Sequence, residues 1–87
     1  MLEKQGKVLY DFHAVFCGPC RRMNAVLQAA SIPDDVKVIK VDVQDSVEMA
    51  EEYGIKSVPV LVYEEDGKEI WRNTGILHLP DLEKKFL

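Results

Sequence analysis

Three things are scarce in this 87-residue chain, and each scarcity excludes a class of function. No apolar run approaches the roughly 20 residues that a membrane-spanning helix needs. No basic stripe is present either: 11 Lys and Arg stand against 15 Asp and Glu, for a formal charge of −4. That balance argues against a nucleic-acid partner. Cysteine is down to two residues. The opening stretch, Met1 to Lys7, lacks the hydrophobic segment of a signal peptide, so the expected location is the cytoplasm, with no membrane partner. In a reducing cytoplasm a lone cysteine pair is catalytic or metal-binding more often than a structural staple. What remains, 47% apolar and 30% charged residues, is ordinary globular composition and excludes a disordered tail or a coiled coil. Internal repeats and linkers are also lacking, so residues 1–87 are expected to form one domain around one core.

The two cysteines stand in Cys17-Gly18-Pro19-Cys20, after a strand-like run from Val8 to Ala14 and at the start of a helical pattern. A Cys-x-x-Cys at a strand-to-helix junction puts the first sulfur at a helix N-terminus. Unpaired backbone N–H groups and the positive end of the helix dipole favour a thiolate there. The second sulfur, one turn further in, is within reach to close a disulfide. Two thiols so placed can take a disulfide from a substrate and keep it.

Lys7 to Ala14 is apolar on both sides, as a buried central strand would be. Period 2 puts Leu9, Asp11 and His13 on one face and Val8, Tyr10 and Phe12 on the other. Asp11 is therefore a carboxylate within an apolar strand, six residues before Cys17. From Gly18 to about Ala30, Cys20, Met23, Leu27 and Ala30 share a helical face with Val26 beside them, and Pro19 suits the first turn. Val36 to Val43 reads as a second strand whose Lys37 and Lys40 suit a sheet edge. Asp45 and Glu48 resemble a capping box for a short helix from about Ser46 to Tyr53, ended by Gly54. Val60 to Tyr63 is a third strand, Asp66-Gly67 a hairpin turn and Glu69 to Thr74 the returning strand. Pro80 and Asp81 mark the first turn of a last helix with Leu79, Leu82 and Phe86 on one face, and His78 reads as a weak N-cap. The order β-α-β-α-β-β-α implies one parallel pair with a right-handed crossover plus an antiparallel hairpin, a three-layer α/β domain.

At this point the chain resembles the thioredoxin family. Asp11 to Cys20 looks like the family's strand-to-active-site segment, and Tyr53-Gly-Ile-Lys-Ser-Val-Pro59 is similar to the stretch that carries its cis-proline. Asp66-Gly67 and Gly75 fall where the family has its hairpin turn and a late glycine beside the active site. The resemblance implies an α/β/α sandwich on a four-stranded mixed sheet, here lacking the usual first strand and helix, which leaves Val36–Val43 at an edge. It departs from the family at Phe16 and His13, where tryptophan is typical, and at Val60, where threonine is common.

The resemblance also assigns roles. Cys17 is the expected nucleophile, its pKa lowered from about 8.5 towards about 7 by its helix-start position. Cys20 is the expected resolving thiol. A buried Asp11, with its pKa raised by desolvation, would take the proton of Cys20, and Lys40 resembles the family's partner of that carboxylate. A cis Val58–Pro59 bond would sit beside Cys17, its backbone pairing with substrate. Phe16, Gly18, Pro19, Val43, Val58, Pro59, Gly75 and Ile76 would form a shallow apolar contact surface. The expected activity is reduction of protein disulfides by a monomer, recycled by a thioredoxin-reductase-type electron donor. No cofactor is expected, since the dithiol carries both electrons, and no metal. Rival readings are inert core thiols, a zinc site from Cys17, Cys20, His13 and His78, a glutathione-dependent enzyme using Arg21 and Arg22, and a non-enzymatic binding module.

Overall fold

The computed structural model describes residues 6–87, so the Met1–Gln5 part of the stretch read for a signal peptide lies outside the described residues. Seven elements follow in order: β1 (Lys7–His13), α1 (Gly18–Ala29), β2 (Val36–Asp42), α2 (Val47–Glu52), β3 (Val60–Glu65), β4 (Lys68–Thr74) and α3 (Leu79–Lys84). The strands form one four-stranded mixed sheet in the order β2-β1-β3-β4. β1 runs parallel to β2, with Asp11 opposite Lys40, and antiparallel to β3, with Asp11 opposite Leu61. The edge position expected for the second strand is observed, and both Lys37 and Lys40 are exposed on it.

Strand alternation sends the two faces of β1 into different cores. Leu9 packs with Met23 and Leu27 of α1, Leu82 of α3, and Leu61 and Tyr63 of β3. Val8, Tyr10 and Phe12 pack with Val41, Val60 and Val62, and Met49 and Tyr53 close this second core from α2. Helices therefore cover both faces of the sheet, the layered arrangement that the element order implied. Cys20, Met23 and Leu27 are the buried residues of α1, as the helical spacing required.

The hairpin strands run further than the hydrophobic pattern suggested, up to the turn at Asp66 and Gly67. Both turn residues have positive φ, 53° and 83°, which a two-residue hairpin loop demands and which glycine adopts without steric cost. The capping box expected from Asp45 and Glu48 does not form. The N-cap of α2 is Ser46, without a side-chain cap bond. The cause is a tight turn at Asp42, whose carbonyl accepts the N–H groups of Asp45 and Ser46 at 3.1 and 2.8 Å. The Asp42 carboxylate also accepts the Gln44 N–H at 2.8 Å, so Asp45 is held one position early. His78 does precede α3, but its side chain makes no cap bond. Among the described residues, no helix is long and apolar enough to cross a membrane.

Candidate active site

Cys17 is the N-cap residue of α1, with extended backbone, and its carbonyl accepts the Arg21 N–H at 3.2 Å to open the helix. Its Sγ occupies the place where a capping oxygen usually sits, accepting the Cys20 N–H at 3.1 Å. The sulfur thus faces one of the helix's orphan donors and the positive end of the dipole. Pro19 stands in the first turn, where no backbone bond is lost. Cys17 is joined to Cys20 in a disulfide, with the two Cα atoms 5.1 Å apart. Cys17 is half-buried and Cys20 is buried on the inward face of the helix, so one sulfur is presented and the other withdrawn.

The Val58–Pro59 peptide is cis, and the Val58 carbonyl oxygen lies 3.9 Å from Cys17 Sγ. The Gly75 N–H donates to the Pro59 carbonyl at 2.9 Å, which fixes the β4–α3 loop beside the cis-proline segment. Gly75 holds φ 93° to do so, a conformation that side chains rarely adopt. Phe16 is 90% exposed, Gly18 and Pro19 are exposed, and Val58 and Ile76 are half-buried. The neighbouring Val15, 58% exposed, adds to this surface. Sequence reasoning missed Val15, although an unbroken Val-Phe pair before the first cysteine is an apolar signal.

Asp11 lies behind Cys20 and is only 2% exposed. Burial raises its pKa above the usual carboxylate range, and the charges of His13 and Lys40 pull in the opposite direction. Its Oδ1 is buried without a hydrogen-bond partner among the described residues. A cavity of about 270 Å³ brings Asp11 together with His13, Cys20, Arg21, Asn24 and Lys40. Lys40 does not bond Asp11 directly. Its ammonium donates to the Asn24 side-chain oxygen instead, so it acts on the carboxyl only through space. Asn24 also escaped sequence reasoning; it stands one helical turn after Cys20, on the same side of α1. Among the described residues no three His, Cys, Asp or Glu side chains gather as a metal-binding group.

A disulfide spaced by two residues at a helix N-terminus, over a four-stranded mixed sheet, defines a thiol–disulfide oxidoreductase. Comparison with known proteins agrees. Residues 1–86 match the family model described as Thioredoxin. The chain is 44% identical over 73 residues to a thioredoxin of Chlamydia trachomatis, covering 82% of this chain and 71% of that one. It is 41% identical over 81 residues to the thioredoxin of Chlamydia muridarum, covering 91% and 78%. The X-ray structure of Fasciola hepatica thioredoxin superposes with a TM-score of 0.83 at 32% identity, covering 99% of this chain and 86% of that one. The chain belongs to the thioredoxin family, and it is a protein-disulfide reductase.

Proposed function

We propose that Cys17 is the attacking thiol and Cys20 the resolving one. Reduced Cys17 attacks a sulfur of a substrate protein's disulfide, forming a mixed disulfide and expelling the first substrate thiolate. Cys20 then gives its proton to Asp11, its sulfur bonds the Cys17 sulfur, and the Cys17–substrate bond breaks to release the second thiolate. Two electrons pass from the dithiol to the substrate, and the product is the Cys17–Cys20 disulfide. The observation that carries this reading is the bond from the Cys20 N–H to Cys17 Sγ, a donor already aimed at the sulfur that must bear negative charge.

Phe16, Gly18, Pro19, Val58, Pro59, Gly75 and Ile76 receive the substrate, which lies extended against the Val58 backbone. Lys40 tunes Asp11 from the neighbouring strand. The enzyme works in the cytoplasm as a monomer that maintains redox balance, without a bound cofactor, because the dithiol stores both electrons. A reductase of the thioredoxin-reductase type returns it to the dithiol form.

Disulfide reduction of insulin by dithiothreitol tests the roles. Cys17→Ser is expected to abolish acceleration of the reaction, whereas Cys20→Ser retains attack and traps a mixed disulfide through Cys17. Activity surviving in Cys17→Ser overturns the assignment. Thiol trapping in defined redox buffers then gives the direction of electron flow: about −270 mV marks a reductant, and about −180 to −120 mV an isomerase or oxidant.

A further inference from the structure

The cavity behind Cys20 holds a second titratable group for which the reaction above has no use. His13 follows Asp11 by two residues, so both side chains leave the same face of β1. Asp11 is only 2% exposed, while His13, at the end of the strand, is half-exposed, and both line the same cavity. The charged and titratable groups around Asp11 can be taken element by element. β1 contributes His13, β2 contributes Lys40, and α1 contributes Cys20 and Arg21. The register partner on β3 is Leu61, which brings no charge. Of these, Lys40 is engaged by Asn24, and lysine and arginine keep their protons at neutral pH. His13 makes no side-chain hydrogen bond among the described residues, and imidazole is the side chain whose charge changes between pH 5 and 8.

A buried acid that accepts a proton in every turnover must also lose it in every turnover. Asp11 makes no side-chain hydrogen bond to the protein among the described residues, so the way out for that proton is the cavity that it shares with His13. We propose that His13 is the positioning residue through which the Asp11 carboxyl exchanges its proton with solvent, so that the state of His13 sets how readily Cys20 is deprotonated. This rests on the assignment of Asp11 as acceptor for Cys20. After the resolving step Asp11 is a neutral acid; its proton passes through solvent in the cavity to the neutral imidazole, and the imidazolium releases it to bulk water. No electron moves in this relay. The imidazolium also holds Asp11 towards its ionised form, matching the direction in which the His13 charge acts on that carboxyl.

The test compares native protein, His13→Gln and His13→Lys in the reduced state. Carbon-detected NMR of the Asp11 carboxyl needs no substrate. His13→Gln removes the cation and is expected to move the Asp11 midpoint upward, while His13→Lys keeps a fixed charge and returns it towards the native position. Single-turnover release from the Cys17 mixed disulfide gives the second readout. The native rate should show a pH inflection that both variants lose, with His13→Gln about tenfold slower at pH 7. An Asp11 titration and a pH profile unchanged by His13→Gln overturn the proposal. The native protein alone supplies an independent check, because the His13 ring resonances must register the ionisation of Asp11. Their failure to do so overturns it as well. If instead Cys17→Ser remains active, the assigned reaction falls, while the Asp11 midpoints still decide the coupling.

Discussion

The two faces of β1 meet different surroundings. Val8, Tyr10 and Phe12 face a largely apolar core, in which the rings of Tyr10, Phe12 and Tyr53 approach within 5.4 to 6.2 Å and a buried carboxylate, Glu64, accepts the Tyr53 hydroxyl at 2.5 Å. The opposite face is graded: Leu9 is fully buried in core, Asp11 is buried but charged in one of its states, and His13 emerges beside the disulfide. Successive residues on a face are about 6.6 Å apart, so the change from packing to chemistry takes two steps along one strand. A single strand can thus anchor a site on one face because its other face has only to be buried. Solvation that a carboxylate loses on burial is a standing cost, and the apolar face offsets it.

Removing the anchor has the largest expected effect. Phe12 has no exposed surface, and Phe12→Ala should destabilise the fold by about 3–5 kcal/mol, from lost transfer energy and the cavity left behind. Urea denaturation measures this directly. Native domains retain only about 5–15 kcal/mol, so the change consumes a large part of the total. Under conditions where the variant remains folded, insulin reduction should stay close to native, because Phe12 faces away from the cavity. Equal losses of stability and of activity per folded molecule would break the distinction between the two faces.

Asp11→Asn acts on the other face and in the opposite sense. Burial raises the Asp11 pKa in the folded state, so between its unfolded and folded midpoints the native state binds more protons than the unfolded one. Stability is therefore full below the unfolded midpoint, near pH 4, and falls as pH rises through the folded one, by about 1.4 kcal/mol per unit of separation. The variant should lack that fall. Its resolving step should slow by about 10²-fold with attack by Cys17 unchanged, seen as mixed disulfide accumulating in rapid-quench samples. A pH-stability curve with the same slope in both proteins would mean that Asp11 does not feel the burial observed.

Much of this contrast is legible in the amino-acid sequence, because period 2 alone separates the faces of β1 and the helical period puts Cys20, Met23 and Leu27 inward. The Cys17-to-Cys20 turn, the edge position of β2 and the burial of Asp11 follow from the same local rules. What escapes depends on contacts that a local pattern does not contain. The expected Asp45 cap fails because Asp42 turns the chain first, a competition among neighbouring hydrogen bonds that a two-residue pattern does not register. Lys40 can be placed opposite Asp11, but its capture by Asn24 requires α1 to lie over β2 at that level. The cis Val58–Pro59 bond is expected only from family resemblance, since the local preference of X–Pro bonds favours trans.

The smallest expected effect tests that capture. Asn24 holds the Lys40 ammonium from a half-buried position on α1, and Asn24→Ala releases it. Little packing is lost, so stability should change by about 0.5 kcal/mol or less. The freed ammonium shares its cavity with the Asp11 carboxylate, whose Oδ1 has no partner among the described residues, and an approaching cation favours the ionised form. The Asp11 midpoint should consequently move down, opposite in sign to the change expected for His13→Gln. Opposite shifts from two substitutions lining one cavity cannot arise from a general loosening of that face, which would move both in the same direction. An unchanged midpoint in Asn24→Ala would place Lys40 outside electrostatic reach of the acid and leave His13 as the cation that governs it.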